Sequence, residues 1–240
     1  MKIKKLITNI FQYILVPSCC FCDRRVTTLP ICAQCLTDLP WNNYACKQCG
    51  QVLPVESQNV ICGQCLRITP AYERTLALFQ YDDLIAKTIQ LLKFKQQLVF
   101  AKLFGTLLIE RIRTVYQSDI FPTLIIPVPL HKQRLFERGF NQALEIARPI
   151  AAHFNLPLTT TLCSRQKATK PQTLISGKER IKNLKQAFII NQKIAHKHVA
   201  IIDDVVTTGA TVNILAQSLK KAGIERVDVW CCARTEYKSK

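Results

Sequence analysis

The sequence predicts an α/β chain: a mostly parallel sheet with helices on both faces, preceded by a small cysteine-rich module over residues 1–70. Three observations predict it. Eight of the 12 cysteines fall in four C-x-x-C pairs before residue 66. From residue 71 onward, apolar segments of strand length alternate with segments of helical periodicity. Of the 240 residues, 48% are hydrophobic, enough for a sizeable core. No internal apolar run reaches about 18 residues, so no membrane span is predicted.

The first 18 residues carry Lys2, Lys4 and Lys5, then an apolar stretch from Leu6 to Val16 interrupted by Thr8, Asn9 and Gln12. A secretion signal or lipoprotein anchor is weighed here against a short amphipathic helix, and the interruptions favour the helix. A reducing cytoplasm is therefore the expected compartment, and there paired cysteines point to metal rather than to disulfides.

The pairs are Cys19/Cys22, Cys32/Cys35, Cys46/Cys49 and Cys62/Cys65. Each C-x-x-C turn sets two sulfurs on one side of a tight knuckle, and two knuckles complete a tetrahedral S4 site of the kind zinc prefers. Pairing in sequence gives one ion to Cys19, Cys22, Cys32 and Cys35 and one to Cys46, Cys49, Cys62 and Cys65. An interleaved cross-brace is not excluded by the spacing alone, and redox dithiols and disulfides are the other readings. Cys49-Gly50 and Cys62-Gly63 place glycine where a knuckle needs an unusual backbone angle. A segment this small needs metal for its stability. Cys20 breaks the spacing and is a bystander; Cys163, Cys231 and Cys232 read as buried thiols.

Lys+Arg total 33 against 16 Asp+Glu, a formal charge of +17. This favours anionic partners, nucleic acid or phosphorylated small molecules. Residues 1–70 hold seven basic and three acidic side chains, and two zinc ions on eight thiolates bring that module near neutrality. The basicity belongs to residues 71–240, with 26 basic and 13 acidic side chains.

In that second part Thr75–Tyr81 reads as a strand, and Leu84–Leu92 and Phe100–Tyr116 as helices. Thr123–Val128 is a buried strand, Asn141–Phe154 a helix and Leu158–Leu162 a short strand. Val199–Ile202 is another buried strand, Ala210–Ala222 a helix and Val227–Cys232 the last strand. Ligands of such sheets bind beyond the carboxyl ends of the strands, which draws attention to the residues just after Val128 and Ile202.

After Ile202 the chain reads Asp203-Asp204-Val205-Val206-Thr207-Thr208-Gly209-Ala210-Thr211 and enters a helix. Backbone N–H groups at that helix start, joined by threonine hydroxyls, make an anion cradle. Two carboxylates beside it would repel a phosphate but accept hydrogen bonds from sugar hydroxyls one ribose away. The local chemistry asks for a ribose 5-phosphate group. No G-x-x-x-x-G-K-[ST] is present, so a Walker-type loop is excluded.

The stretch Val199–Thr211, VAIIDDVVTTGAT, resembles the phosphoribosyl pyrophosphate (PRPP) signature of type I phosphoribosyltransferases. Pro127-Val128-Pro129-Leu130, Arg134, and Arg138-Gly139-Phe140-Asn141-Gln142-Ala143 resemble the ComF family. So does the series Arg165, Lys167, Thr169, Gln172, Arg180, Asn183 and Phe188, with Lys167 standing where that pattern has a second arginine. A double zinc ribbon ahead of a phosphoribosyltransferase domain is the arrangement of that family.

The resemblance implies a type I phosphoribosyltransferase-like fold over residues 71–240 and roles for its residues. Asp203 and Asp204 would hold the ribose hydroxyls. Thr207, Thr208, Gly209, Ala210 and Thr211 would hold the 5-phosphate. Pro127, Val128 and Pro129, with Leu130, would meet the pyrophosphate through a strained turn. Mg²⁺ would bridge pyrophosphate and ribose oxygens. Arg138 would join Asp203 and Asp204 in catalysis and, with the basic segment 165–182, close over the site as a lid. Arg134, Asn141, Arg165, Lys167, Gln172 and Arg180 belong to this lid or nucleic-acid set. A plain capping role is weighed for Arg138 and Asn141, a solvent-facing position for Gln142, and a bland loop position for His131. His196 and His198 read as surface residues; Lys93 and Lys95 either point a cation into the cleft or snorkel from a helix end, and the second is favoured.

Residues 165–198 hold nine basic side chains and one acidic one. With Arg111, Arg113, Lys132, Arg134 and Arg138 they would form a track for single-stranded DNA, with Phe136 or Phe140 to stack a base. The resemblance implies a role in DNA uptake during natural transformation, after DNA enters the cytoplasm, with phosphoribosyl transfer to an unidentified acceptor. A metabolic phosphoribosyltransferase for a free base is a second reading. A PRPP-sensing adaptor that docks a helicase-like competence protein through its ribbon is a third.

Overall fold

The computed structural model describes residues 17–54, 60–166, 187–192 and 194–236. The leading helix expected over residues 1–16, and Lys167, Thr169, Gln172, Arg180 and Asn183 of the lid set, lie outside the described residues. The chain forms two compact units, Met1–Leu39 and Pro40–Lys240.

The first unit is built on the knuckle at Cys19. Ser18 bridges Arg25, Cys19 N–H donates to the Arg24 carbonyl at 2.7 Å, and Asp23 turns the chain with φ +59°. Asp tolerates that left-handed backbone better than most residues. Helix α1 (Ala33–Thr37) follows, capped by Cys32, whose Sγ accepts from the Cys35 N–H at 3.5 Å.

In the second unit a parallel sheet runs in the order β1 (Arg74–Gln80), β6 (Arg226–Arg234), β5 (His198–Val206), β2 (Leu124–Pro127). Helices α3 (Asp83–Lys95), α4 (Leu98–Val115) and α6 (Gln142–Phe154) cover one face, and α7 (Ala210–Lys221) the other. Both faces are covered, so β5 and β6 are buried almost throughout, with apolar runs at Val199–Ile202 and Val229–Ala233. The α7 face packs Ile126, Ile201, Val229 and Cys231 against Val212, Leu215 and Leu219. A small antiparallel two-stranded sheet, β3 (Cys163–Arg165) with β4 (Phe188–Ile190), is separate from the main sheet.

Four differences from the sequence expectations have physical causes. The expected domain boundary at residue 70 does not coincide with the compact units, because residues 40–48 line the free edge of β1. Asn42 N–H donates to the Leu78 carbonyl, Gln80 N–H to Pro40 and Thr75 N–H to Lys47, at 2.8 to 3.1 Å. An open strand edge is thereby paired with ribbon backbone. The strand expected at Leu158–Leu162 is reduced to one bridge, Leu158 with Ile125, and the pairing starts at Cys163. Only Gly50 of the two knuckle glycines needs left-handed backbone, at φ +70°. Gly63 opens the short helix α2 (Gly63–Arg67) with ordinary geometry. His198, read as a surface residue, is buried with its Nε2 2.9 Å from Asp228 Oδ2, inside a network of Tyr116, Asp119, Arg74 and Arg226 at the amino ends of the strands.

Candidate functional site

The cleft opens where β2 stops and β5 continues. Pro127 is the last β2 residue in register, opposite Ile202. β5 runs four residues further, held only by β6 through Asp203 opposite Cys231 and Val206 opposite Arg234. The two acidic residues thus sit inside the strand extension rather than after it. Alternation along a strand sends neighbouring side chains to opposite faces, and the pair is divided accordingly.

Asp204 is buried at 4% exposure on the α6 side. Its carboxylate forms an ion pair with Lys93 of α3 and accepts a 3.4 Å hydrogen bond from Gln142 Nε2. Gln142 Oε1 in turn accepts from Arg138 at 2.5 Å. Burial pushes the Asp204 carboxyl up, and the Lys93 charge and hydrogen bond outweigh it, holding the group below the usual carboxylate range. Asp203 is half-buried, and its Oδ1 accepts from the Asp204 N–H at 2.9 Å. Desolvation and then the neighbouring Asp204 charge push its carboxyl well above the ordinary value. Arg165 of β3 lies within electrostatic reach of Asp203 and stacks over Phe188, with its Cζ 5.7 Å from the ring centre.

Lys93 thus points into the cleft, the less favoured of its two weighed positions, and Gln142 is buried rather than solvent-facing. Their partner, Asp204, is remote in sequence, and helical periodicity gives no sign of it. Asn141 takes the capping role and also ties down a neighbouring loop. Its Oδ1 caps α6 through the Ala143 N–H at 3.0 Å, and its Nδ2 donates to the Val128 carbonyl at 3.0 Å, fixing the loop after β2. That loop has no cis peptide and no residue of positive φ. His131 only caps a seven-residue helix, α5 (Lys132–Arg138), accepting from Gln133 N–H at 3.3 Å. Its backbone bridges Arg165, which brings the start of the basic segment to the loop.

Beyond Val206, Thr207 and Thr208 are exposed, and Gly209 at φ +78° forms the N-cap of α7. A Cβ at Gly209 would lie 3.1 Å from Tyr72 Oη, so position 209 demands glycine for conformation and for space. Ala210 N–H donates to Thr208 Oγ1 at 3.3 Å, and the Thr211 and Val212 N–H groups have no acceptor within the helix by its geometry. Arg138 lies over the Phe94 ring at 5.5 Å, and Lys93, Phe94, Gln96, Arg134, Glu137 and Arg138 line a cavity of about 380 Å³ beside Asp204.

The sulfurs gather in the sequential pairing, not the cross-brace. Within each tetrad, Cys19/Cys22/Cys32/Cys35 and Cys46/Cys49/Cys62/Cys65, all Sγ atoms lie within 4.8 Å of one another. Cys22 and Cys32 sulfurs are 3.7 Å apart and Cys49 and Cys62 sulfurs 3.6 Å. A tetrahedron with Zn–S bonds of about 2.3 Å has S···S edges of about 3.8 Å, so both donor sets fit zinc. All twelve cysteines are free thiols. A hydrogen bond from Cys49 holds Cys46 down to about 4 while burial pushes Cys65 up to about 12. Such a cluster gathers one negative charge readily and needs a dication for the rest.

Comparison with known proteins agrees with this layout. Residues 10–66 match the model of the double zinc ribbon domain. The chain is 32% identical over 225 residues to the DNA utilization protein YhgH of Escherichia coli, covering 92% of this chain and 98% of that protein. It is 32% identical to competence protein F of Haemophilus influenzae, covering 90% of each. It is 27% identical over 201 residues to competence protein ComFC of Bacillus subtilis, covering 80% and 79%. A purine phosphoribosyltransferase from Pyrococcus horikoshii overlays 56% of this chain and 73% of its own at TM-score 0.32 and 21% identity. Fold and cysteine tetrads define a zinc-ribbon protein carrying a parallel α/β domain. Within that class, the chain belongs to the ComF family. Among the described residues no helix is long and apolar enough to cross a membrane.

Proposed function

We propose that this chain binds PRPP with Mg²⁺ in the crevice beyond β2 and single-stranded DNA on the adjoining basic surface, in the service of DNA uptake. The observation that carries the PRPP reading is the placement of Asp203 and Asp204 on an extension of β5 paired with β6 on one side and open on the β2 side, followed by the Gly209-capped start of α7. Support for the DNA role comes from relatives named for competence and DNA utilization.

In this reading the ribose hydroxyls displace Lys93 from Asp204 and bond to the acidic pair. The α7 start and the hydroxyls of Thr207, Thr208 and Thr211 receive the 5-phosphate. The loop Pro127–Leu130 meets the pyrophosphate, with Arg138 and Arg165 adding positive charge. Mg²⁺ bound with PRPP beside the acidic pair and this loop would supply the charge that neutralises the leaving pyrophosphate. Transfer from PRPP passes through a cation-like ribose, so these residues act by positioning and charge rather than by a protein nucleophile. The cavity at Phe94 and Arg138 gives an acceptor room beside Asp204.

Three measurements test the reading. In calorimetry with Mg²⁺, PRPP is expected to bind one site per chain. Pyrophosphate release assayed across free bases and nucleic acids then separates transfer from sensing: binding without release for every acceptor marks a sensor. Release with a free base and no single-strand affinity above an uncharged control marks a metabolic enzyme.

A further inference from the structure

The second cysteine tetrad and the phosphate loop are joined by one buried guanidinium. Arg234, the last residue of β6, is 3% exposed. Its Nε–H donates to the Cys49 carbonyl at 2.9 Å. Its Nη1 donates to the Val206 carbonyl at 3.0 Å and to the Thr207 carbonyl. Cys49 is a ligand-bearing residue of the knuckle, and Val206 and Thr207 begin the loop that turns at Gly209. Nη1 also lies 3.2 Å from the carbonyl of the next residue, Thr235. A planar fork of donors, rigid and always charged, suits carbonyls converging from the knuckle, the loop and the strand end.

Other contacts converge on the same junction. Gln48 Nε2 of the knuckle donates to the Tyr72 carbonyl at 3.4 Å. The Tyr72 hydroxyl lies directly below Gly209. Asn213 of α7 accepts from the Ala71 N–H at 2.7 Å. On the far side, a Cβ at Gly50 would stand 2.8 Å from Thr75 Cγ2, so the knuckle is pressed onto β1 and has no room to shift that way. Cys49, Cys65, Thr208, Gly209 and Arg234 share the walls of one cavity of about 150 Å³.

We propose that Arg234 is a positioning residue through which the Cys46–Cys49 zinc knuckle sets the phosphate loop, so that zinc at the second tetrad and a phosphorylated ribose at the loop stabilise each other. This rests on the PRPP reading for the identity of the ligand. The knuckle holds the Cys49 carbonyl in place only while its four sulfurs are drawn together. Without the ion the guanidinium loses one anchor, and the carbonyls of Val206 and Thr207 are free to rotate. Those peptides carry the N–H groups of Thr207 and Thr208 into the loop. A ligand that fixes the loop fixes Arg234, and through it the knuckle; coupling of this kind is reciprocal by thermodynamic necessity.

The test follows zinc release from the full chain into a chromogenic chelator, with and without PRPP and Mg²⁺. A Cys32→Ser/Cys35→Ser variant, holding zinc at the second tetrad alone, assigns the release phases. PRPP is expected to slow release from the second tetrad about five-fold or more, a coupling of ordinary size. Arg234→Met is expected to speed that release without any ligand and to erase the PRPP effect. Arg234→Lys, which keeps the charge but not the fork, is expected to restore stability better than it restores the coupling. Equal PRPP protection in wild type and both Arg234 variants, in chains that melt cooperatively, would overturn the proposal. If PRPP does not bind wild type at all, the ligand reading fails, and ligand-free zinc release from Arg234→Met then decides the zinc half alone: unchanged release overturns it.

Discussion

The two cysteine tetrads are built from the same C-x-x-C spacing yet stand in different structural settings. The first lies within the unit ending at Leu39 and turns its knuckle on Asp23, with φ +59°. The second turns on Gly50 at φ +70°, against Thr75 of β1, and its backbone pairs with that strand from Asn42 to Lys47. Asp23 tolerates the backbone angle, but only glycine meets both the angle and the contact at position 50. Identical metal chemistry thus serves one tetrad as a local staple and the other as the edge of a sheet. The lesson concerns what a motif encodes: spacing specifies the donor set, and the neighbouring strand decides what the metal supports.

The largest expected difference comes from removing each ion. Cys46→Ser/Cys49→Ser should abolish the cooperative melting of the sheet unit, because structural zinc contributes about 10 kcal/mol or more, comparable to the whole stability of a domain. Cys19→Ser/Cys22→Ser should lose one zinc and disturb that melting transition less. Calorimetry together with a zinc count per chain checks both, and equal effects would erase the comparison.

Next in size is Lys93→Met. It leaves Asp204 buried without its cation, which should cost about 2–4 kcal/mol in chemical denaturation. It should also weaken PRPP binding at neutral pH, with recovery as pH rises. A lysine that merely snorkels would change stability by less than about 0.5 kcal/mol.

A smaller effect is the pH dependence of PRPP affinity. The Asp203 carboxyl is raised above its usual range, so it binds a proton in the folded chain where the unfolded chain does not. Ionising it costs stability as pH rises from the unfolded value of about 4 through the elevated one, while the ribose-binding form is gained over that same interval. PRPP affinity should therefore climb with pH across the window, and Asp203→Asn should flatten the climb. The slightest effect expected of any single residue is on DNA. Arg134→Ala should lower the logarithmic salt slope of single-strand binding by about 0.7, the loss of one phosphate contact.

Much of the sheet was legible because buried parallel strands are nearly continuous apolar runs, as Val199–Ile202 and Val227–Cys232 are. The end of β5 was not. Asp203 and Asp204 looked like a terminator, but β6 offers them backbone partners as far as Val206. Helix α5 has no buried residue, so Lys132–Arg138 presents no apolar stripe to read. The cysteine sets and the acidic pair were legible because their chemistry is local. The contacts of Gln142, His198 and Arg234 were not, and the choice between cleft and helix end for Lys93 was left open, since each meets a group distant in sequence: Asp204 for Lys93 and Gln142, Asp228 for His198, and Cys49 with Val206 for Arg234. The split of the ribbon between the two compact units was not legible for the same reason. Nothing in residues 40–48 announces that their backbone completes the edge of β1.

The central claim is that the β5 extension and the α7 start form a site for a phosphorylated ribose. Its most direct test is calorimetric titration of PRPP with Mg²⁺ into wild type and into Asp203→Ala/Asp204→Ala, with melting temperature and zinc content measured on both. The predicted result is saturable binding to wild type and affinity at least about 100-fold weaker in a variant that still melts cooperatively with two zinc ions. Equal PRPP affinity in the two proteins would contradict it.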